Sequence, residues 1–173
     1  MLQNERMVNK VIVLNHQQVE QKINRIAYEL YETNFDEPVI YLVGITGQGL
    51  VLANRLKDIL ENISKKKIEL LEITLNKDNP LGEEIVLSKP LTYLEGKPVI
   101  LIDDVLNSGR TLIYSAQYLL KANLKKMQTV CLVDRWHRRF PIRADFVGLT
   151  LSTTLQEHIE VNFEKNNDTV YLY

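Results

Sequence analysis

Apolar positions along this chain alternate between two rhythms. Val11 to Leu14 is a short apolar run of strand length. Asn15 follows, a residue suited to cap a helix. Beyond it, Val19, Ile23, Ile26, Ala27, Leu30 and Tyr31 recur at helical spacing, which predicts an amphipathic helix to about Glu32. Pro38 opens Val39 to Val43, apolar on both faces, the pattern of a strand inside a parallel sheet covered on both sides. Gly44 to Gly49 carries three glycines and reads as a turn, and Leu50 to Leu60 returns to helical periodicity.

The same alternation continues downstream. Ile68 to Leu75 reads as a strand, and Asn76 to Pro80 with Gly82 as a long polar loop. Ile85 to Leu87 has the composition of a short strand. Pro98 to Ile102 is a long apolar strand, followed by a polar turn and a helix from about Thr111 to Ala122. Thr129 to Val133 and Ala144 to Leu149 are further strands. Ile159 to Phe163 and Val170 to Tyr173 have strand composition, with Asn166-Asn167-Asp168 as the turn between them. Strands alternating with helices predict an α/β fold with a mainly parallel central sheet flanked by helices. No internal repeat or linker-like tract interrupts it, so residues 1–173 read as one domain. In such sheets ligands bind at the carboxyl ends of the strands.

Composition narrows the setting. The chain has 173 residues, a formal net charge of −1, 45% hydrophobic and 25% charged residues, values of an ordinary globular protein. No apolar run approaches membrane-helix length, and the polar start from Met1 to Lys10 does not read as a signal peptide. One cysteine, Cys131, lies in an apolar run and excludes an intramolecular disulfide; a reducing, cytoplasmic setting is expected.

The chemistry concentrates in Val99 to Thr111. An apolar strand delivers Asp103 and Asp104 to a crevice edge, then Asn107, Ser108, Gly109, Arg110 and Thr111 open a helix. Two adjacent carboxylates repel and call for a partner: the vicinal hydroxyls of a ribose can donate to them, and a divalent cation can lie nearby. Free backbone N–H groups, two hydroxyls and the helix dipole make an anion site a few residues on, where Gly109 permits close backbone approach. Carboxylates for a sugar beside donors for a phosphate imply a sugar phosphate. Gly44-Ile-Thr-Gly47-Gln-Gly49 lacks the spacing of a dinucleotide or nucleotide-triphosphate loop. His16, His137 and His158 have no metal-ligand spacing.

Val99 to Thr111 resembles the phosphoribosyl pyrophosphate (PRPP) signature of type I phosphoribosyltransferases. Leu42-Val-Gly-Ile45 with Gly49, Glu72-Ile-Thr-Leu75, Leu132-Val-Asp-Arg135 with His137-Arg138, and Pro141-Ile-Arg-Ala-Asp145 with Gly148 are similar to the pyrimidine-operon attenuator and uracil phosphoribosyltransferase group, the PyrR family. The resemblance runs from about Val11 to the C-terminus. It implies a small hood made by the chain ends and a homodimer or higher homo-oligomer. It also implies a magnesium-dependent pentosyl transfer from PRPP to a base, uracil by resemblance. By the same resemblance Asp103 and Asp104 hold the ribose hydroxyls and, indirectly, the metal, and Asn107 to Thr111 bind the 5′-phosphate. The turn at Thr46, Gly47 and Gln48 faces the pyrophosphate. The loop at Asn76, Lys77 and Asp78 closes over the site, with Lys77 counted as catalytic. Val133 to Ile142, including Arg135, Trp136 and Ile142, forms the base pocket.

Three places depart from the family pattern. Thr46-Gly47-Gln48 stands where the group usually carries Lys-Thr-Arg, so two cations are missing beside the leaving group. Asn76-Lys77-Asp78-Asn79 replaces Tyr-Arg-Asp-Asp, keeping a charge but not the bidentate fork. Trp136 replaces a small residue and can stack on a base, plug the pocket or pack in an oligomer interface. Arg135, His137, Arg138, Arg139 and Arg143 form a basic cluster, read more readily as a solvated face, or as paired with acidic residues across a dimer, than as an RNA contact. The first helix holds few cations beyond Lys22 and Arg25, which weakens the RNA reading. Two functions therefore stay open: a phosphoribosyltransferase, and a nucleotide-sensing regulator that binds RNA or a protein with weak or no catalysis. A receiver-like signalling domain fits less, since its acidic pair belongs after the first strand.

Overall fold

The computed structural model describes residues 9–173; the expectation for the polar start lies mostly outside them. Among the described residues no helix is long and apolar enough to cross a membrane. The elements are β1 (Val11–Leu14), α1 (His16–Thr33), β2 (Val39–Ile45), α2 (Gln48–Ile63), β3 (Lys67–Thr74) and β4 (Val86–Leu87). A short 3₁₀ turn (Leu91–Leu94) precedes β5 (Pro98–Leu106), α3 (Arg110–Leu119), β6 (Lys126–Asp134), β7 (Phe146–Thr150), β8 (Ile159–Asn162) and β9 (Thr169–Leu172).

Six strands form the main sheet in the order β4-β3-β2-β5-β6-β7. All neighbours are parallel except the edge strand β4, which runs antiparallel to β3. Alternate residues of the strands go to opposite faces. Ile40, Leu42, Ile100, Ile102, Val130 and Leu132 join the core under α1 and α2. Val43, Val99, Leu101 and Cys131 join the core beneath α3. Cys131 is fully buried and packs as a small hydrophobe. The chain ends build the hood, a three-stranded antiparallel sheet in the order β1-β9-β8.

Helix α1 begins where the cap residue predicts. Asn15 accepts from the Gln18 backbone N–H at 3.0 Å, and Gln18 Oε1 accepts from the Asn15 N–H at 2.9 Å, a reciprocal capping box. Buried Asp168 ties the hood to both helices, accepting from Arg55 at 2.6 Å with His16 Nδ1 3.0 Å away.

Among the boundaries that differ from the sequence expectation, two bear on the site. The turn expected over Gly44 to Gly49 shrinks to Thr46 and Gly47, because Gly44 and Ile45 still pair with Glu72 and Ile73. The acidic pair does not sit in a turn: β5 continues to Leu106, because β6 offers pairing partners at Cys131, Val133 and Asp134.

Candidate active site

The carboxyl end of β5 carries the acidic pair inside the ladder. Asp103 is buried and Asp104 half-buried, and Asp103 Oδ1 accepts the Asp104 backbone N–H at 3.0 Å. Burial, and then the neighbouring Asp104 charge, push the Asp103 pKa well above the carboxylate range, with Lys77 acting in the opposite sense. Lys77 reaches in from the loop after β3 and places its Nζ 3.8 Å from Asp103 Oδ1. That loop is braced by Asn76, whose Oδ1 accepts from the backbone N–H groups of Asp78 and Asn79.

Past Leu106 the chain makes a tight turn into α3. Gly109 stands at the helix cap with φ +84, a left-handed conformation that glycine adopts readily. A Cβ there would meet Ile142 Cγ2 at 2.8 Å. Glycine is therefore required by the turn and by packing under Ile142, in addition to the close phosphate approach expected from sequence. Asp103, Asn107, Ser108, Gly109, Arg110 and Thr111 line a cavity of about 40 Å³, with Cys131 and Leu112 at its floor. Ser108 Oγ accepts the Arg110 N–H at 3.2 Å.

The turn from β2 into α2 lies one strand away. Thr46 Oγ1 is spent on its own sheet, lying 2.9 Å from Glu72 Oε1, 3.2 Å from Ile73 O and 2.6 Å from Thr74 Oγ1. A carboxylate therefore backs the turn expected to face the pyrophosphate, and Gln48, the first residue of α2, brings no charge.

The segment after β6 folds back over the phosphate turn, with the N–H groups of Arg139 and Phe140 both donating to Ser108 O. Here the reading of the basic cluster as a solvated face is corrected for Arg135 and Arg138, while Arg139 and Arg143 are exposed. Arg135 is buried, and its guanidinium donates to Thr153 Oγ1 at 2.7 Å, Asn107 Oδ1 at 3.1 Å, Thr154 O at 2.8 Å and Glu157 O. Those acceptors drew it inward, so it braces the pocket from behind. Arg138 pairs within the chain with the buried carboxylate of Asp134. Trp136 adopts φ +61, its N–H held by Asp134 Oδ1 at 3.0 Å, and the Arg138 guanidinium lies 4.9 Å from its ring centroid. The residue is 59% exposed, so it does not plug the pocket. Ile142 packs beneath Gly109.

A second cavity beside the cradle is lined by Asn107, Ser108, Arg135, His137, Arg139 and Leu155; the first five lie in segments that sequence reasoning placed at the site, and Leu155 is the one it missed. Leu155 gave no sequence signal, because it enters from the loop between β7 and the hood, a contact set only by the tertiary fold.

Among the described residues no group of three or more His, Cys, Asp and Glu side chains could hold a metal. Two adjacent carboxylates suit magnesium, which typically takes one or two protein carboxylates and completes its shell with substrate oxygens.

A parallel sheet in this order, with an acidic pair and an anion turn at the end of one strand, defines a type I phosphoribosyltransferase fold. A family model described as phosphoribosyl transferase domain matches residues 12–165. The chain belongs to that family, and within it to the PyrR group. "Bifunctional protein PyrR" of Fusobacterium nucleatum is 39% identical over 162 residues, covering 89% of this chain and 91% of that protein. The protein of the same name from Clostridium acetobutylicum is 35% identical over 173 residues, covering 95% and 97%. Among solved structures, the hypoxanthine phosphoribosyltransferase of Trypanosoma cruzi superposes with a TM-score of 0.75 at 16% identity, covering 92% of this chain and 94% of that one. A hypoxanthine phosphoribosyltransferase from Staphylococcus aureus gives 0.69 at 19% identity, over 82% and 77%. At these identities the likeness speaks to the fold.

Proposed function

We propose that this protein transfers the phosphoribosyl group of PRPP to a nucleobase, uracil by resemblance, and releases pyrophosphate. The observation that carries this reading is the buried Asp103 and its neighbour Asp104 standing directly before the cradle of Asn107, Ser108, Gly109, Arg110 and Thr111. Asp103 and Asp104 accept the ribose hydroxyls, and the cradle fixes the 5′-phosphate through backbone N–H groups and hydroxyls. Asp103 and Asp104 would also hold magnesium indirectly, through ligand oxygens, and when bound it supplies positive charge against the leaving pyrophosphate. Lys77, already near Asp103, lies on the loop that shuts water out. Thr46, Gly47 and Gln48 face the pyrophosphate, and Arg135, Trp136 and Ile142 belong to the acceptor side. The reaction passes through an oxocarbenium-like sugar, so these residues act by positioning and charge stabilisation. The resemblance also carries a cytoplasmic setting and a homo-oligomer.

A second reading, a nucleotide-sensing regulator, is favoured by one observation: the Thr46 hydroxyl is taken up by Glu72 and Thr74, with no cation beside it in the turn. An RNA-binding form of it is disfavoured, because Arg25 on α1 is engaged with Val147 O, Gly148 O and Glu29.

Purified protein assayed with magnesium and PRPP against a panel of bases tests the choice. Turnover with uracil is expected, and Asp104→Asn should lose about tenfold or more in PRPP affinity, the loss of a charged hydrogen bond. No turnover with any base, together with tight nucleotide binding, would establish the regulator instead.

A further inference from the structure

Gly49 is the second residue of α2 and is buried. It is not among the residues of positive φ, so no left-handed turn asks for a glycine there. Inside a helix glycine is a poorer choice than alanine. The reason for it is room. A Cβ at this position would meet Asp103 Oδ1 at 2.9 Å, Asp103 Cα at 3.0 Å and Ile102 O at 3.0 Å. Two of those three atoms are main chain of β5 and cannot swing aside. Gly44 does the same for β2, where a Cβ would meet Leu50 Cα and Ala53 Cβ, both at 2.9 Å. One glycine on a strand and one on the helix thus let the start of α2 lie down on β2 and β5 together.

The contact falls on one oxygen of the acid. Asp103 Oδ1 accepts the Asp104 N–H at 3.0 Å and has Lys77 Nζ 3.8 Å away. With the bare Cα of Gly49 beside it, that oxygen has a donor from its own strand, a cation nearby and a wall on the helix side. Among the described residues Oδ2 takes no hydrogen bond from the protein, and Asp103 lines the cradle cavity. Packing and hydrogen bonding on Oδ1 therefore lock the side chain and leave Oδ2 for a ligand.

We infer that Gly49 is a positioning residue: its missing side chain seats the Asp103 carboxylate so that Oδ2 meets a ribose hydroxyl. The inference rests on the phosphoribosyl-transfer reading for its ligand, and deepens it by naming the residue that aims the acid. It also ties the two halves of the site together. Gly49 follows Thr46, Gly47 and Gln48 directly, so the chain proposed to face the pyrophosphate is the chain that seats the ribose acid. In a close-packed interior a displacement of one is felt by the other.

Gly49→Ala tests this, read first by calorimetry with PRPP, which needs no turnover. One methyl group should displace the carboxylate, and PRPP affinity should fall about tenfold. In steady-state assays KM for PRPP should rise by a like factor while KM for uracil stays within about twofold. The melting temperature should stay close to that of the unaltered protein, because the better helix propensity of alanine offsets the crowding. A merely structural role would instead lower the melting temperature and disturb both KM values. In an Asp103→Ala background the added methyl should cost less than about twofold in PRPP affinity, since the carboxylate it displaces is gone. Unchanged PRPP affinity in Gly49→Ala, or a further tenfold loss in the Asp103→Ala background, would overturn the assignment and leave the transferase reading intact. A crystal of the unaltered protein soaked with PRPP gives a check that needs no variant. Asp103 Oδ1 should stay against the Gly49 Cα with Oδ2 on a ribose hydroxyl, and a carboxylate turned away from the helix would overturn the assignment. Absence of turnover with any base would end the transferase reading, and the affinities would still decide the role of Gly49.

Discussion

The two turns proposed to face anions share one backbone plan and differ in nearly everything attached to it. Each follows a central strand and opens a helix, and each places at the cap a glycine of positive φ, Gly47 at +97 and Gly109 at +84. In neither does the cap residue supply a side-chain hydrogen bond to its helix. Around Gly109 the space is filled by Ile142 and Phe140, whereas a Cβ at position 47 would meet nothing within 4 Å. The β5 turn adds two hydroxyls and Arg110. The β2 turn adds a threonine already bonded to Glu72 and an uncharged glutamine. Backbone N–H groups alone make a weak, general anion site. Side chains and packing decide how tightly it binds, so under the proposed function the β5 turn is the better equipped anion site and the β2 turn the poorer one.

The most damaging way to test this contrast is Gly109→Val. A branched side chain at φ +84, driven into Ile142, should cost about 2 kcal/mol or more of stability and about 100-fold or more in ribose 5-phosphate affinity. Calorimetry and thermal melts measure both, and a phosphate still seated in the cradle of a soaked crystal would contradict it. A milder change sharpens the contrast from the other side. Gln48→Arg restores one cation to the open turn and should improve PRPP affinity about fivefold, on the order of 1 kcal/mol. Affinity for a nucleoside monophosphate, which lacks the pyrophosphate, should not move.

The smallest expected effect concerns Asp103. Its folded pKa is raised, so between the ordinary carboxylate range and that raised value the folded state binds the extra proton and stability falls as pH rises. Below the ordinary range both states are protonated and nothing is lost. Asp103→Asn should therefore raise Tm at pH 8 by about 3 °C, the shift that ~1 kcal/mol produces in a chain of this size. The gain should vanish near pH 4. An equal gain at both values would show that the carboxyl is not the cause.

Much of this was legible in the residues. Apolar periodicity located the strands of the main sheet and its three helices, because burial on two faces leaves an unbroken apolar run. The ends were less legible. Asp103 and Asp104 interrupt the run of β5, yet the strand persists to Leu106 because β6 continues beside it, and no local pattern reports a neighbour's length. Gly44 looks like turn residue and is ladder residue for the same reason. The acidic pair and the cradle announced themselves through residue type. Arg135 did not: charge suggested solvent, while the carbonyl oxygens of a loop about twenty residues later drew it inward. The left-handed backbone of Trp136 was equally hidden, since nothing in a tryptophan advertises it.

Arg135 has a consequence for how the site behaves as an object. One guanidinium is bolted at one end to Asn107, in the turn after β5, and at the other to the loop over residues 153–157. It works as a strut across the mouth of the site. Pulling it out would strand four acceptors on two loops at once, each losing a part-buried hydrogen bond. The turn after β5 and the loop that leads to the hood are therefore held at a fixed spacing by a single stiff clamp.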